Sequence, residues 1–336
     1  MLKTAEFVSL GHPDKTADFI SEYILDRALE QDARVRYAVE VMVKGNTVVL
    51  GGEVCSNITL NNIEEYVKDA VRQIGYDERY HQIWGSNALD VSNLKVINLI
   101  SSQSCEILQG VENGGWGDQG VFVGYACQGE GLLPKELYLA KKLNNALYAK
   151  ALKSDNLGLD IKTQITIDDQ GKIKTAIVAI PMLKNEDLTP FVQKILGSAP
   201  DELIINGTGN YTCHSAVADC GITGRKLACD FYSTACPVGG GSPWAKDASK
   251  ADVSLNILAR KLAVQNLKDN DEIFVYLSSC IGRSKLPSAT LKCIKNGAIT
   301  YKNLEGDFSP QTVIKNLRLD KPVFADLCRN TLTALV

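Results

Sequence analysis

The residues best suited to chemistry crowd into one stretch, from Asp219 to Asp252. It reads Asp219-Cys-Gly-Ile-Thr-Gly-Arg225-Lys226, then Gly239-Gly240-Gly241, then Lys246-Asp247-Ala-Ser-Lys250-Ala-Asp252. With Asp230 the stretch holds four cations, four carboxylates and five glycines. Glycines let backbone amides come close to a ligand, and arginine and lysine supply charge for oxygen anions. Carboxylates among them suit a divalent cation, which takes oxygen ligands. A solvated, salt-bridged loop leading into a helix accounts for the same composition.

There are three histidines, at 12, 81 and 214. His81 lies in the polar run Glu-Arg-Tyr-His-Gln and reads as a surface residue. His12 stands in Gly11-His12-Pro13-Asp14-Lys15, at the start of the first expected helix. Pro13 suits the first helical turn, and Asp14 lies near the positive end of the helix dipole. An ordinary helix cap is the plain alternative there. Glycines also cluster over 110–120, ahead of an apolar strand Val121–Ala126. That is not the strand–loop–helix order of a dinucleotide fingerprint, and no G-x-x-x-x-G-K-[ST] loop occurs. A nucleotide site here needs another design.

The elements that must position these residues repeat in order. Ala17, Ile20, Ile24 and Ala28 recur at helical spacing in a helix over about 14–31. Tyr37, Val39, Val41 and Val43 alternate with Arg36, Ala38, Glu40 and Met42, Gly45-Asn46 supplies a turn, and Thr47–Val54 returns. A helix over about 60–74 stops at Gly75. A second unit has a helix from Pro134 to about 153, a hairpin of Ile161–Ile167 with Lys172–Ile180, and a helix over about 187–197. A third has a helix over about 249–268, strands near 271–279 and 289–302, and a helix near 309–317. Three α+β domains follow, each a mixed or antiparallel sheet with helices on one face. The expected boundaries are 1–107, 108–212 and 213–336.

Hydrophobic content of 45%, with 22% charged residues, is that of a soluble globular chain. A formal net charge of −3 gives no electrostatic case for nucleic acid. No apolar run approaches the ~20 residues that cross a bilayer, and the N-terminus has no signal-peptide core. Ten cysteines without a C-x-x-C pair argue against a zinc ribbon and for buried reduced thiols in a cytoplasmic protein.

Six motifs in order resemble the methionine adenosyltransferase (S-adenosylmethionine synthetase) family. They are Gly11-His-Pro-Asp-Lys15, Gly51-Gly-Glu53, Gly117-Asp-Gln-Gly120, Asp160-Ile-Lys162-Thr-Gln, Asp219 through Lys226, and Gly239-Gly-Gly-x4-Lys246-Asp-x-x-Lys250-x-Asp252. The resemblance covers about residues 3–325. It implies three similar domains about a pseudo-threefold axis, and active sites at the interface of a homodimer, with a homotetramer as the larger alternative. It implies that the sulfur of L-methionine is joined to C5′ of ATP and that the released triphosphate is hydrolysed to pyrophosphate and phosphate.

By resemblance His12 lies beside the leaving oxygen, and Lys162, Arg225, Lys226 and Lys246 bind the triphosphate. Asp14 and Asp252 hold two Mg²⁺ ions, and Glu40 helps to bind K⁺. Glu53, Gln103, Asp118, Asp219 and Lys250 surround methionine and the ribose, while Asp160, Tyr211 and Ile281 belong to the ATP site. Tyr211 stands where the family usually has a phenylalanine stacked on adenine. Without the resemblance, Lys162 and Glu40 read as solvent-facing strand residues and Asp247 as a helix N-terminal acid.

The chain departs from the family pattern at Gly209–Ala216, at Val238–Pro243, at Phe7 and Leu10, in a shorter loop between Val111 and Asp118, and in ending at Val336. His214 is new relative to the pattern and reads as structural. A divergent relative with tripolyphosphatase activity or an altered amino-acid substrate, or a nucleotide-binding regulatory subunit, stands as the alternative.

Overall fold

The computed structural model describes residues 1–55, 60–102 and 114–334. A leading strand β1 (Lys3–Val8) precedes the first unit, which runs α1 (Pro13–Gln31), β2 (Arg36–Lys44), β3 (Thr47–Cys55), α2 (Ile63–Ile74), α3 (Glu78–Trp84) and β4 (Lys95–Ser102). A second leading strand, β5 (Gly120–Cys127), precedes α4 (Lys135–Ala151), β6 (Lys162–Ile167), β7 (Ile173–Ala179), α5 (Thr189–Leu196) and β8 (Glu202–Ile205). The short α6 (Ser215–Ala218), β9 (Gly221–Ile222) and α7 (Leu227–Asp230) lead to α8 (Ala251–Leu267), β10 (Glu272–Ser279), β11 (Ser288–Lys295), β12 (Ala298–Asn303), α9 (Pro310–Leu317) and α10 (Phe324–Asn330).

The strands form three four-stranded sheets, in the orders β4-β3-β2-β9, β1-β6-β7-β8 and β12-β11-β10-β5. Each unit lends its leading strand to the next. β1 pairs with β6 of the second unit, β5 with β10 of the third, and β9 with β2 of the first. All three pairings are antiparallel, so the exchange runs once around the molecule and closes on itself.

In the first two units the hairpin is followed by a helix and a parallel outer strand, β4 on β3 and β8 on β7. The third unit differs. Asn296 and Gly297 both take positive φ, 50° and 78°, as the tight turns of two-residue hairpins require. The single strand expected over 289–302 is therefore a second hairpin, with β12 antiparallel to β11.

The largest core packs α1, α2 and α4 with the first two sheets, and a second core lies between α8 and the third sheet. Close approach there depends on Gly124, where a Cβ would stand 2.0 Å from the Ala259 carbonyl oxygen. The apolar spacing in α1 predicts one buried stripe, but the structure buries Pro13 through Asp26 without a break. Asp14, Asp18, Glu22 and Asp26 are thus inside. All nine described cysteines are free, but four of them are not buried: Cys213 is exposed, and Cys55, Cys220 and Cys280 are half-buried. No described helix is long and apolar enough to cross a membrane.

Candidate active site

The turn carrying His12 is fixed by the second unit. The Ser9 N–H donates to the Ile161 carbonyl at 2.9 Å, and the His12 N–H donates to the Ser9 carbonyl at 3.1 Å. A Cβ on Gly11 would lie 2.4 Å from the Leu159 oxygen, so only glycine lets the segments meet. The β1–β6 register sets Val8 opposite Lys162. His12 caps α1, and its Nδ1 accepts the Asp14 N–H at 3.1 Å. An acceptor Nδ1 leaves the proton on Nε2, free to donate. Burial, with the Lys226 and Lys162 ammonium groups facing it, pushes the imidazole down to about 3, so it is neutral at pH 7.

Asp14 lies between backbone and cation. Its Oδ1 accepts the Ile222 N–H at 2.9 Å, and Oδ2 meets Lys226 Nζ at 2.6 Å. Burial opposes ionisation here, but Lys226 and the Ile222 N–H together hold the carboxyl below its usual range. Asp219 is close enough for its charge to act on His12. Burial pushes Asp160 up to about 6 against the pull of Lys162. Its Oδ2 accepts the Ser215 N–H, and its Oδ1 finds no partner among the described residues. Tyr211 is half-buried, within range of the Asp160 charge. His12 and Asp14 come from the first unit, Asp160 and Lys162 from the second, and Asp219 and Lys226 from the segment leading to the third. Arg225 is exposed beside Lys226.

Lys246 and Asp252 form a second group. The Val39 N–H donates to the Ala245 carbonyl and the Asp247 N–H to the Tyr37 carbonyl. Asp247 Oδ2 accepts the Tyr37 N–H in return, so Asp247 is a staple. This lays Lys246 against Ala38, which pairs on its other side with Glu53. Directly paired residues project to one face of a sheet, so Lys246, Ala38 and Glu53 share a face. Glu40 stands two residues along, exposed, and accepts a hydrogen bond from the Thr223 hydroxyl. Lys246 Nζ reaches Asp252 Oδ2 at 2.7 Å, and Asp252 Oδ1 accepts the Gly241 N–H at 2.8 Å. Cβ atoms on Gly240 or Gly241 would stand 2.9 Å from that carboxylate. Lys250 caps α8.

Asp118 and Ile281 lie together at the β5–β10 end. Ile281 is bridged to Trp116, and the Ser279 hydroxyl donates to the Asp118 carbonyl. Among the described residues no hydrogen bond joins this pair to His12. Gln103 lies outside the described residues. His214 is structural: Nδ1 donates to the Thr212 carbonyl at 2.7 Å, Nε2 accepts from the Tyr80 hydroxyl at 2.6 Å, and Trp84 packs edge-on at 4.7 Å. His81 is half-exposed and faces Asp90 at 3.3 Å.

No three described His, Cys, Asp or Glu side chains converge as a metal cage. Asp14 and Asp252 instead offer single carboxylates, each held by a backbone N–H and a lysine. That donor set fits Mg²⁺, which keeps waters and takes one or two carboxylates together with substrate phosphates. The buried Asp18, Glu22 and Asp26 are not legible in the sequence, because acids at helical spacing ordinarily mark a solvated face.

Models of the N-terminal, central and C-terminal domains of S-adenosylmethionine synthetase match residues 1–105, 213–333 for the last, and 113–210 for the central one. The S-adenosylmethionine synthase of Paramagnetospirillum magneticum is 32% identical over 96% of this chain and 90% of its own length. S-adenosylmethionine synthase 2 of Rhodospirillum rubrum matches at the same identity and coverage. The chain belongs to the S-adenosylmethionine synthetase family. Its enzyme class is therefore methionine adenosyltransferase. The fold agrees: the structure of an unusual S-adenosylmethionine synthetase from Campylobacter jejuni aligns with a TM-score of 0.88 at 32% identity, over 99% of this chain and 94% of that one.

Proposed function

We propose that this chain makes S-adenosyl-L-methionine from ATP and L-methionine by direct attack of the thioether sulfur on C5′. The sulfur uses a lone pair, the C5′–O bond breaks, and its electrons leave with the triphosphate. A thioether has no proton to lose, so no general base is required. What the step requires is alignment and stabilised charge on the departing oxygen. The observation that supports this reading best is His12, buried and neutral, with Nδ1 occupied and Nε2–H free among lysines. Nε2–H donates to the leaving oxygen, while Lys162, Arg225, Lys226 and Lys246 take the phosphates.

Mg²⁺, when bound, neutralises phosphate charge. Asp14 and Asp252 would hold it, with Lys226 and Lys246 released from them to the phosphates. Glu40 would contribute to a K⁺ site. Glu53, Asp118, Asp219, Lys250 and Gln103 would surround methionine and the ribose, and Asp160, Tyr211 and Ile281 the rest of the nucleotide. The same cations then hold the triphosphate for hydrolysis to pyrophosphate and phosphate.

The active unit in this reading is a homodimer. The face of the first sheet that carries Glu40 and Glu53 also exposes Met42 and Leu99, since Glu40, Gly51 and Leu99 stand in one cross-strand row. Purified protein with ATP, Mg²⁺, K⁺ and methionine, followed by mass spectrometry, is expected to yield S-adenosylmethionine. His12→Asn is expected to cut adenosyl transfer by about a hundredfold or more, with a much smaller loss of tripolyphosphate hydrolysis. Equal losses in the two steps would remove the leaving-group role.

A further inference from the structure

Helix α1 carries Asp14, Asp18, Glu22 and Asp26 at intervals of four, which places them on one face. Like charges at that spacing repel, and all four are buried, none more than 4% exposed. Each accepts backbone N–H groups from segments far along the chain. Asp14 takes Ile222, Asp18 takes Gly224 at 2.8 Å, Glu22 takes Ala245 at 2.6 Å, and Asp26 takes Phe324 and Ala325, both at 2.9 Å. Two of these acceptors act immediately before a phosphate-site cation: Gly224 precedes Arg225, and Ala245 precedes Lys246.

Ala245 is the more telling contact. Its φ is +68°, a left-handed conformation that a residue with a Cβ holds only under outside constraint. The Ala245 N–H is held by Glu22, and its carbonyl by the Val39 N–H at 3.0 Å. The peptide entering Lys246 is thus clamped from α1 on one side and β2 on the other. We propose that Glu22 is a positioning residue that holds Ala245 in its left-handed turn and thereby aims Lys246 at the triphosphate. This inference rests on the assignment of Lys246 to the triphosphate. Burial pushes the Glu22 carboxyl well above the usual carboxylate range, so the oxygen that accepts the N–H matters more than a charge.

The test is a double-mutant cycle between Glu22 and Lys246 in the full chain. The readout is the dissociation constant for magnesium tripolyphosphate by calorimetry, with S-adenosylmethionine formation measured alongside. Glu22→Met is expected to weaken tripolyphosphate binding about tenfold, the scale of one lost neutral hydrogen bond. The same change made on Lys246→Met is expected to do almost nothing further, because the two act through one contact. Glu22→Gln, which keeps an acceptor oxygen, restores affinity, and Ala245→Gly partly rescues Glu22→Met by making the left-handed turn cheap. Should Glu22→Met fail to fold, Glu22→Asp withdraws the oxygen with a smaller cavity, and the cycle is run with it.

Multiplying effects in the cycle, or unchanged affinity in the folded variant, overturns the positioning role. Wild-type protein that forms S-adenosylmethionine while Glu22→Met binds tripolyphosphate normally refutes this inference alone. Wild-type protein that binds tripolyphosphate but forms no S-adenosylmethionine refutes the synthetic function alone, and the cycle still decides the role of Glu22.

Discussion

His214 shows how a residue that invites a catalytic reading is consumed by structure. Both ring nitrogens are engaged, and Tyr76, Tyr80 and Trp84 surround the ring. Burial pushes its imidazole down to about 4 from an ordinary 6.5. The folded protein therefore holds it neutral while the unfolded chain protonates below 6.5. Between pH 6.5 and 4 the unfolded state binds the extra proton, so stability falls as pH falls through that window. The full loss is about 3 kcal/mol, reached below pH 4. Urea unfolding at pH 7.5 and 5.0 is expected to show a loss about 2 kcal/mol smaller in His214→Gln than in wild type, and an equal loss in the variant would refute this origin. His12 is different in kind, since among the described residues only its Nδ1 is hydrogen-bonded. Clustering among glycines makes Arg225, Lys226, Lys246 and Lys250 stand out in the sequence, whereas His12, Asp14 and Lys162 read as a helix cap and a strand residue until the family motifs single them out. Glu22 was invisible, because nothing in its neighbours distinguishes an acid that clamps a distant peptide from one facing water.

At the scale of elements, helix–hairpin order and apolar alternation were enough to read the units, because period-two and period-3.6 patterns survive without tertiary information. The Asn296-Gly297 turn is legible too, as the strongest short hairpin signal, and it divides what otherwise looks like one strand over 289–302. The partners of the leading strands were not legible, since alternation tells which face is buried and not which edge is joined. The junction of β5 with α8 gives a measurable consequence. Gly124→Ala drives a Cβ to 2.0 Å from the Ala259 oxygen, a backbone atom that cannot rotate away. The expected cost is about 3 kcal/mol, seen as a lower unfolding midpoint. A midpoint within error of wild type would show that the α8–β5 spacing is not fixed by this glycine.

For the whole molecule, the outer face of the first sheet is both part of the proposed site and the place where a second copy would sit. Leu99, 63% exposed, lies in the row of Glu40. Leu99→Asp is expected to convert a dimer to a monomer in analytical ultracentrifugation and to lower S-adenosylmethionine formation at least about tenfold, as a charge at the centre of an apolar contact does. A monomeric wild type with full activity would end the two-copy reading. The closed exchange of leading strands carries a different consequence, one for synthesis. Gly221 and Ile222, which finish the first sheet, emerge only after about two-thirds of the chain has been made. Until then β2 presents a bare edge on the ribosome, and bare edges pair with whatever strand arrives. A neighbouring nascent copy offers the same strand, so a ring that closes within one chain can open into a line between many. Yield on refolding should therefore fall with concentration, even though the finished molecule leaves that edge covered.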